Sequence, residues 1–314
     1  MDLEPSYEKI MNKDPNQFFE TYDIDKETLD KMKIKMLNML LTFRDFCEKY
    51  HLRFGLIGGG AIGAVREHGF IPWDDDVDVT MPRPDFDKFI QLWNQYGDKE
   101  RYVLCKTDRN VNYHHCSASL RDPSTTFICT YNKYNDICHG IALEIGCIHA
   151  TPDSKILQYK QIFEGFLFSL FNFQRLPNNR GKKIRLLTKI IYKLIPSKRI
   201  RDDIWIWADK QRSKYKWEDC HYVKELWGKT SFMTFPKTWF DSYVWVDFEG
   251  HKMPLPAGYH EYLTLIFGDY MKRPPAPERV AKHELLFVDM DHPYTDYKGI
   301  YYFPDKEKDR EFNC

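Results

Sequence analysis

No C-x-x-C pair joins any of the eight cysteines, at positions 47, 105, 116, 129, 138, 147, 220 and 314. A zinc site built from paired thiolates is therefore not expected, and reduced, mostly buried thiols are. Net charge is also missing, with 46 Lys and Arg against 46 Asp and Glu. No global field draws the chain to nucleic acid, so any preference for a charged partner must be local. The longest near-apolar run, Ile162 to Phe173, contains Glu164 and falls short of the roughly 20 residues that cross a bilayer. No transmembrane helix is expected. The opening residues, Met1-Asp-Leu-Glu-Pro-Ser-Tyr-Glu, have no basic start followed by an apolar stretch. They read as no secretory signal, so a cytoplasmic location is expected. No internal repeat and no low-complexity stretch occurs.

What is abundant is aromatic side chain, 16% of the 314 residues. Aromatics serve packing more often than binding, and here they sit at core spacing. Met36, Met39, Leu40, Phe43, Phe46, Cys47 and Tyr50 follow the period of one buried helix face. Phe86, Phe89, Ile90 and Trp93 do the same after Pro84, which suits a first helical turn. Between these helices a short strand, Arg53 to Ile57, runs into Gly58-Gly59-Gly60, and Ala61 to Glu67 reads as a brief helix closed by Gly69. Strand candidates follow at Arg101–Lys106, Cys116–Leu120, Thr126–Thr130 and Ile141–Ile148.

These patterns divide the chain into an α+β core over 1–150 with one mixed sheet, a helical block over 151–218, and a C-terminal α/β region over 219–314. The helical block is interrupted at Leu176–Gly181 and Pro196. The C-terminal region contains a hairpin turning at Glu249-Gly250 and a helix over Tyr259–Phe267. The last ten residues read as a frayed tail. Within the block, the stretch from Arg180 to Ile195 is basic on one side and apolar on another. That pattern suits either an interfacial membrane helix or a surface helix with a solvated basic face.

The chemistry concentrates in Trp73-Asp74-Asp75-Asp76-Val77-Asp78. Read as a strand running to Thr80, the segment points Asp74, Asp76 and Asp78 one way, with Asp75, Val77 and Val79 the other. Three carboxylates on one edge repel one another unless a hard divalent cation lies between them. A solvated acidic turn or a weak calcium loop would carry the same letters. The glycine run upstream separates these readings, because backbone N–H groups at a helix start can hold a phosphate beside the metal. Glu144, alone among apolar neighbours in Ile141-Ala-Leu-Glu-Ile145, is the expected third acidic element, as a metal ligand or as acceptor of a hydroxyl proton. Its other reading is a carboxylate paired with an arginine. Asp75 is expected to stand outside the site.

The stretch from Gly58-Gly-Gly-Ala-Ile-Gly-Ala-Val-Arg-Glu-His-Gly-Phe-Ile-Pro-Trp to Asp78, continued by Met81-Pro-Arg-Pro-Asp-Phe-Asp-Lys-Phe89, closely resembles the signature of the LicD family. Leu120–Phe127, Gly140–Ile145, Phe248-Glu-Gly250, Pro254-Leu-Pro256 and Glu261–Met271 resemble its later segments, so the likeness spans roughly residues 30 to 295. The resemblance implies a nucleotidyltransferase-like mixed sheet with flanking helices. It further implies magnesium- or manganese-dependent transfer of phosphocholine, or another polyol phosphate, from a CDP-choline or CDP-alcohol donor. The acceptor would be a hydroxyl of a glycan or lipid-linked glycan, as in lipopolysaccharide or teichoic acid synthesis, and CMP would leave. On that likeness Asp74, Asp76, Asp78 and Glu144 hold metal, with Asp76, Asp78 and Glu144 catalytic. Gly58, Gly59, Gly60, Arg66 and Arg121 hold donor phosphate. Gly60 stands where many members have Thr or Ser, Glu67-His68 where His-Lys is usual, and Glu144 where Asp is commoner; His149, where an acidic residue is frequent, could move a proton or cap a loop. Trp73 and the Tyr/Trp-rich C-terminal third could cage a quaternary ammonium, though core packing is the commoner use. A nucleotide-sugar glycosyltransferase using Asp76-Val-Asp78 as its metal motif is the competing enzyme class, and a non-catalytic scaffold the third. The basic helical block points to peripheral attachment at the inner membrane face, where a lipid-linked acceptor would be met.

Overall fold

The computed structural model describes residues 24–176, 182–281 and 283–302. The expected frayed tail, the N-terminal segment read for a signal, Cys314 and most of the Leu176–Gly181 interruption lie outside them. Helix α1 (Lys26–Lys49) starts where Asp25 accepts a hydrogen bond from the Thr28 N–H at 2.8 Å, an N-cap that ties down one orphan donor. Its buried stripe, Met32, Met36, Met39, Leu40, Phe43 and Cys47, keeps the period seen in the sequence.

Strand β1 (Gly55–Ile57) leads directly into helix α2 (Gly58–Arg66), then come β2 (Asp78–Pro82), helix α3 (Arg83–Tyr96), β3 (Val103–Cys105), β4 (Ala118–Arg121), β5 (Thr126–Cys129) and β6 (Ala142–Thr151). The aromatic excess goes into the α1–α3 contact, where Phe43 meets Phe89 edge-on at 5.0 Å and Phe46 meets Trp93 at 4.8 Å. Each such buried ring is worth about 1.5–3 kcal/mol over an exposed one.

Helices α4 (Lys155–Phe173), α5 (Lys182–Leu194) and α6 (Lys198–Arg212) follow, then β7 (Tyr222–Lys224), β8 (Phe235–Pro236), the hairpin β9 (Tyr243–Phe248) and β10 (His251–Pro256), helix α7 (Tyr259–Phe267) and β11 (Leu285–Asp289). The hairpin turns where expected, with Glu249 at φ 50° and Gly250 at φ 75°. The fold is α+β, and its main sheet is mixed. It runs β1-β2-β6-β4-β3, with β2 parallel to β6 and the other pairs antiparallel. The far end of β6 continues into β7 and β8.

One expectation is corrected here. The first 150 residues do not hold one self-contained sheet: β5 leaves it to pair with β11, some 160 residues later, and β7 joins from beyond the helical block. Strand propensity alone does not name a partner across such separations. One hydrophobic core runs from Met32 through Met290, while α4–α6 build a smaller one around Phe168, Phe171, Tyr192, Trp205 and Ala208. Among the described residues, no helix is long and apolar enough to cross a membrane.

Candidate active site

The parallel pairing of β2 with β6 sets Asp78 directly beside Glu144. Side chains of registered neighbours leave the sheet on the same face, so two carboxylates that are 66 positions apart share one spot. Only Asp78 of the acidic run lies in a strand. The chain instead turns over Ile71–Asp74, the Asp74 N–H donating to the Ile71 carbonyl at 3.1 Å, and residues 74–77 are irregular. The alternating pattern inferred for Asp74, Asp76 and Asp78 therefore does not apply, and Asp75 is not outside the cluster. Ligand oxygens of Asp74, Asp75 and Asp76 all lie within 4.8 Å of one another.

The glycine run also differs from its expected form. It is not a turn ahead of a helix but the first turn of α2, with Gly58 at φ 55°. A Cβ on Gly59 would stand 2.5 Å from Asp74 Oδ2, and one on Gly58 would stand 3.9 Å from Asp78 Oδ2. The missing side chains thus let two carboxylates close on a helix N-terminus, whose partial positive charge favours anions.

Crowding shows in the electrostatics. Asp74 is pushed from 3.8 up to about 7, by burial first and then by the charges of Asp76 and Asp75. Burial likewise raises Asp76, against the opposing charge of His283, and raises Asp78 well above the usual carboxylate range, with Asp76 and Glu144 adding to it. Lys33 lies close enough to Asp74 to oppose its rise, while its ammonium donates to the Pro72 carbonyl at 2.8 Å.

A cation outside every motif of the chain balances part of this charge. His283 Nδ1 lies 3.2 Å from Asp75 Oδ2, its backbone N–H donates to the same oxygen at 3.3 Å, and Nε2 is 4.0 Å from Asp76 Oδ2. Burial opposes a charged imidazole, yet Asp75, Asp76 and Glu144 together outweigh it and raise His283 to about 9. Nothing in the spacing of Ala281-Lys-His-Glu284 marks this residue.

Glu144 is held from the other side. Ser117 Oγ donates to its Oε2 at 3.0 Å, Arg121 approaches Oε1 at 3.5 Å, and His115 Nδ1 is 3.5 Å from Oε2. The two readings of Glu144 thus meet in one residue, paired with an arginine and facing the acidic cluster. His115 belongs to a His114-His115 pair just ahead of β4, which was the available signal for it. Around this rim the Arg175 guanidinium stands over the rings of Tyr131 at 4.9 Å and Phe173 at 5.3 Å.

Two candidates lie elsewhere. Arg66 ends α2, about 12 Å of helix from the glycines. Its guanidinium donates to Glu67 at 2.8 Å and to the Tyr270 carbonyl at 2.7 Å, tying α2 to the segment after α7. His149 sits five residues along β6 from Glu144, buried against Arg83 at 3.3 Å. Burial, with Arg212 and Arg83 adding to it, holds the imidazole neutral far below its usual range. Trp73 packs on the core and carries the Arg279 guanidinium 5.5 Å above its ring.

Comparison with known proteins agrees with this geometry. Residues 51–136 match the LicD/FKTN/FKRP nucleotidyltransferase domain, a span that contains the glycine turn, the acidic run and Arg121. The chain carries a LicD-type nucleotidyltransferase domain. It is also 28% identical over 270 residues to the lipopolysaccharide cholinephosphotransferase LicD of Haemophilus influenzae, an alignment covering 82% of this chain and 97% of that protein. The LicD motif and the acidic cluster coincide: the carboxylates form an oxygen-only donor set that could hold a metal ion.

Proposed function

We propose that this LicD-family transferase moves phosphocholine, or a similar polyol phosphate, from a CDP-linked donor to a glycan hydroxyl and releases CMP. The observation that carries the reading is that Asp74 and Asp78 close on the glycine N-terminus of α2, with Glu144 registered beside Asp78 and the charges of Asp76 and Glu144 both felt there. Carboxylates pushed upward by burial and by one another fit a hard divalent cation, magnesium or manganese, better than open solvent. Bound there, such an ion would draw charge from the donor's phosphate oxygens.

The chain's own groups do the rest on this reading. Backbone N–H groups at Gly58, Gly59 and Gly60 face the donor phosphates. Arg121 reaches toward the same space from β4 and offsets negative charge as it builds up. The acceptor hydroxyl oxygen forms a bond to the phosphorus that carries the alcohol, the bond from that phosphorus to the CMP oxygen breaks, and CMP departs with the electron pair. Glu144, fixed by Ser117, takes the hydroxyl proton. The likeness to a cholinephosphotransferase favours choline as the head group; the faces of Tyr131 and Phe173 are taken by Arg175 itself.

The test is incubation of purified protein with Mg²⁺, glycan acceptors, and CDP-choline, CDP-ribitol or CDP-glycerol in turn. CMP release that depends on metal, and is greatest with CDP-choline, is expected. Release from none of the three would overturn the proposal.

A further inference from the structure

Helix α5 has an apolar sector that the fold leaves uncovered. Only Thr188 and Tyr192 are buried; the Tyr192 hydroxyl donates to the Leu170 carbonyl at 2.6 Å and anchors that side on α4. At 3.6 residues per turn, Leu186, Leu187, Ile190 and Leu194 share an arc of about 100° on the helix, away from the buried pair. Their exposures are 59%, 56%, 46% and 76%. Four such side chains in one contiguous arc, rather than scattered singly, mark a surface that is covered by something outside the fold.

Charge says what covers it. Lys182, Lys183, Arg185, Lys189 and Lys193 are all exposed, and the helix has no acidic residue. Lys189, Lys182 and Lys193 fall in the next sector round, beside the apolar arc, while Lys183 lies within the arc at the first turn, where its long stem can carry the charge outward. An apolar strip edged by cations on one exposed helix matches the boundary between lipid tails and anionic head groups. A protein partner's apolar groove would not need five cations. We infer that α5 docks the protein on an anionic bilayer surface, with Leu186, Leu187, Ile190 and Leu194 entering the head-group layer.

Vesicle flotation of the whole protein tests this without any donor or acceptor, so its outcome is separate from that of the transferase assay. Vesicles with about one third phosphatidylglycerol should carry the protein up, vesicles of phosphatidylcholine alone should not, and added salt should weaken the binding. Lys189→Gln with Lys193→Gln should cut partitioning at least about tenfold. Leu186→Gln with Ile190→Gln should do so at least as strongly while leaving the melting temperature unchanged, since both sites are exposed. The inference is overturned if the wild type stays down with both vesicle types, or if both double variants float like the wild type. It is also overturned if the protein ignores vesicles but forms a dimer that Leu186→Gln with Ile190→Gln dissolves, because a second copy would then be the cover.

Discussion

Replacing Asp74 with asparagine should stabilise the metal-free protein while removing its response to metal. The rise of Asp74 from 3.8 to about 7 means that the folded chain resists ionising it. In full, that rise corresponds to about 4 kcal/mol. The carboxylate keeps some contact with water, and discounting for that leaves about 2 kcal/mol. The sign follows from proton linkage: between pH 3.8 and about 7 the folded state holds more of this proton than the unfolded state, so stability falls as pH rises through that window. At pH 8 in EDTA, Asp74→Asn should therefore melt higher than wild type, by about 2–5 °C. At pH 4 the two should nearly coincide. Adding Mg²⁺ at pH 8 should raise the wild-type melting temperature and leave Asp74→Asn unmoved. Scanning fluorimetry at the two pH values with and without metal reads all of this. A variant that melts below wild type in EDTA at pH 8, or one that still gains from Mg²⁺, would refute the reasoning.

Gly59→Ala should keep the melting temperature within a few degrees, the better helix propensity of alanine offsetting part of its overlap with Asp74. Its methyl would press on Asp74 Oδ2, and CMP release should fall about a hundredfold; thermal denaturation and steady-state kinetics measure the two effects. Glu144→Gln should keep the melting temperature within a few degrees and lower turnover by about 10²–10⁴ if the carboxylate takes the hydroxyl proton, as single-turnover assays would report. Arg83→Met acts on stability instead. Arg83 donates to both carboxylate oxygens of Asp209, at 2.9 and 2.8 Å, and although burial alone would raise that acid, Arg212 and Arg83 hold it well below its usual range. Leaving Asp209 buried against fewer cations should cost about 3–5 kcal/mol in urea unfolding, with turnover per folded molecule unchanged.

The elements that could be read from the sequence are those specified by local pattern. The stripe of α1, the aromatic face of α3, the hairpin at Glu249-Gly250 and α7 all follow from neighbours a few residues apart. Glu144 was legible for another reason: a lone carboxylate in an apolar strand needs a partner, and burial narrows the choice. What escaped was long-range or conformational. The pairing of β5 with β11 leaves no trace in either segment. Asp75 was misplaced because alternation presupposes a strand, and the turn at Ile71–Asp74 delays β2 until Asp78. His283 reaches the cluster from a segment more than 200 residues downstream, where only the three-dimensional arrangement reveals the ion pair. Arg66 shows the converse: its position in the motif is correct, but α2 carries its side chain to the far end of the helix.

Phosphorus NMR of the products formed from CDP-choline, Mg²⁺ and a glycan acceptor tests the central claim most directly. The account predicts CMP together with a new phosphodiester, both absent with Asp78→Asn of unchanged fold. A nucleoside diphosphate with a glycosidic product from a nucleotide sugar, or conversion that persists in Asp78→Asn, would contradict it.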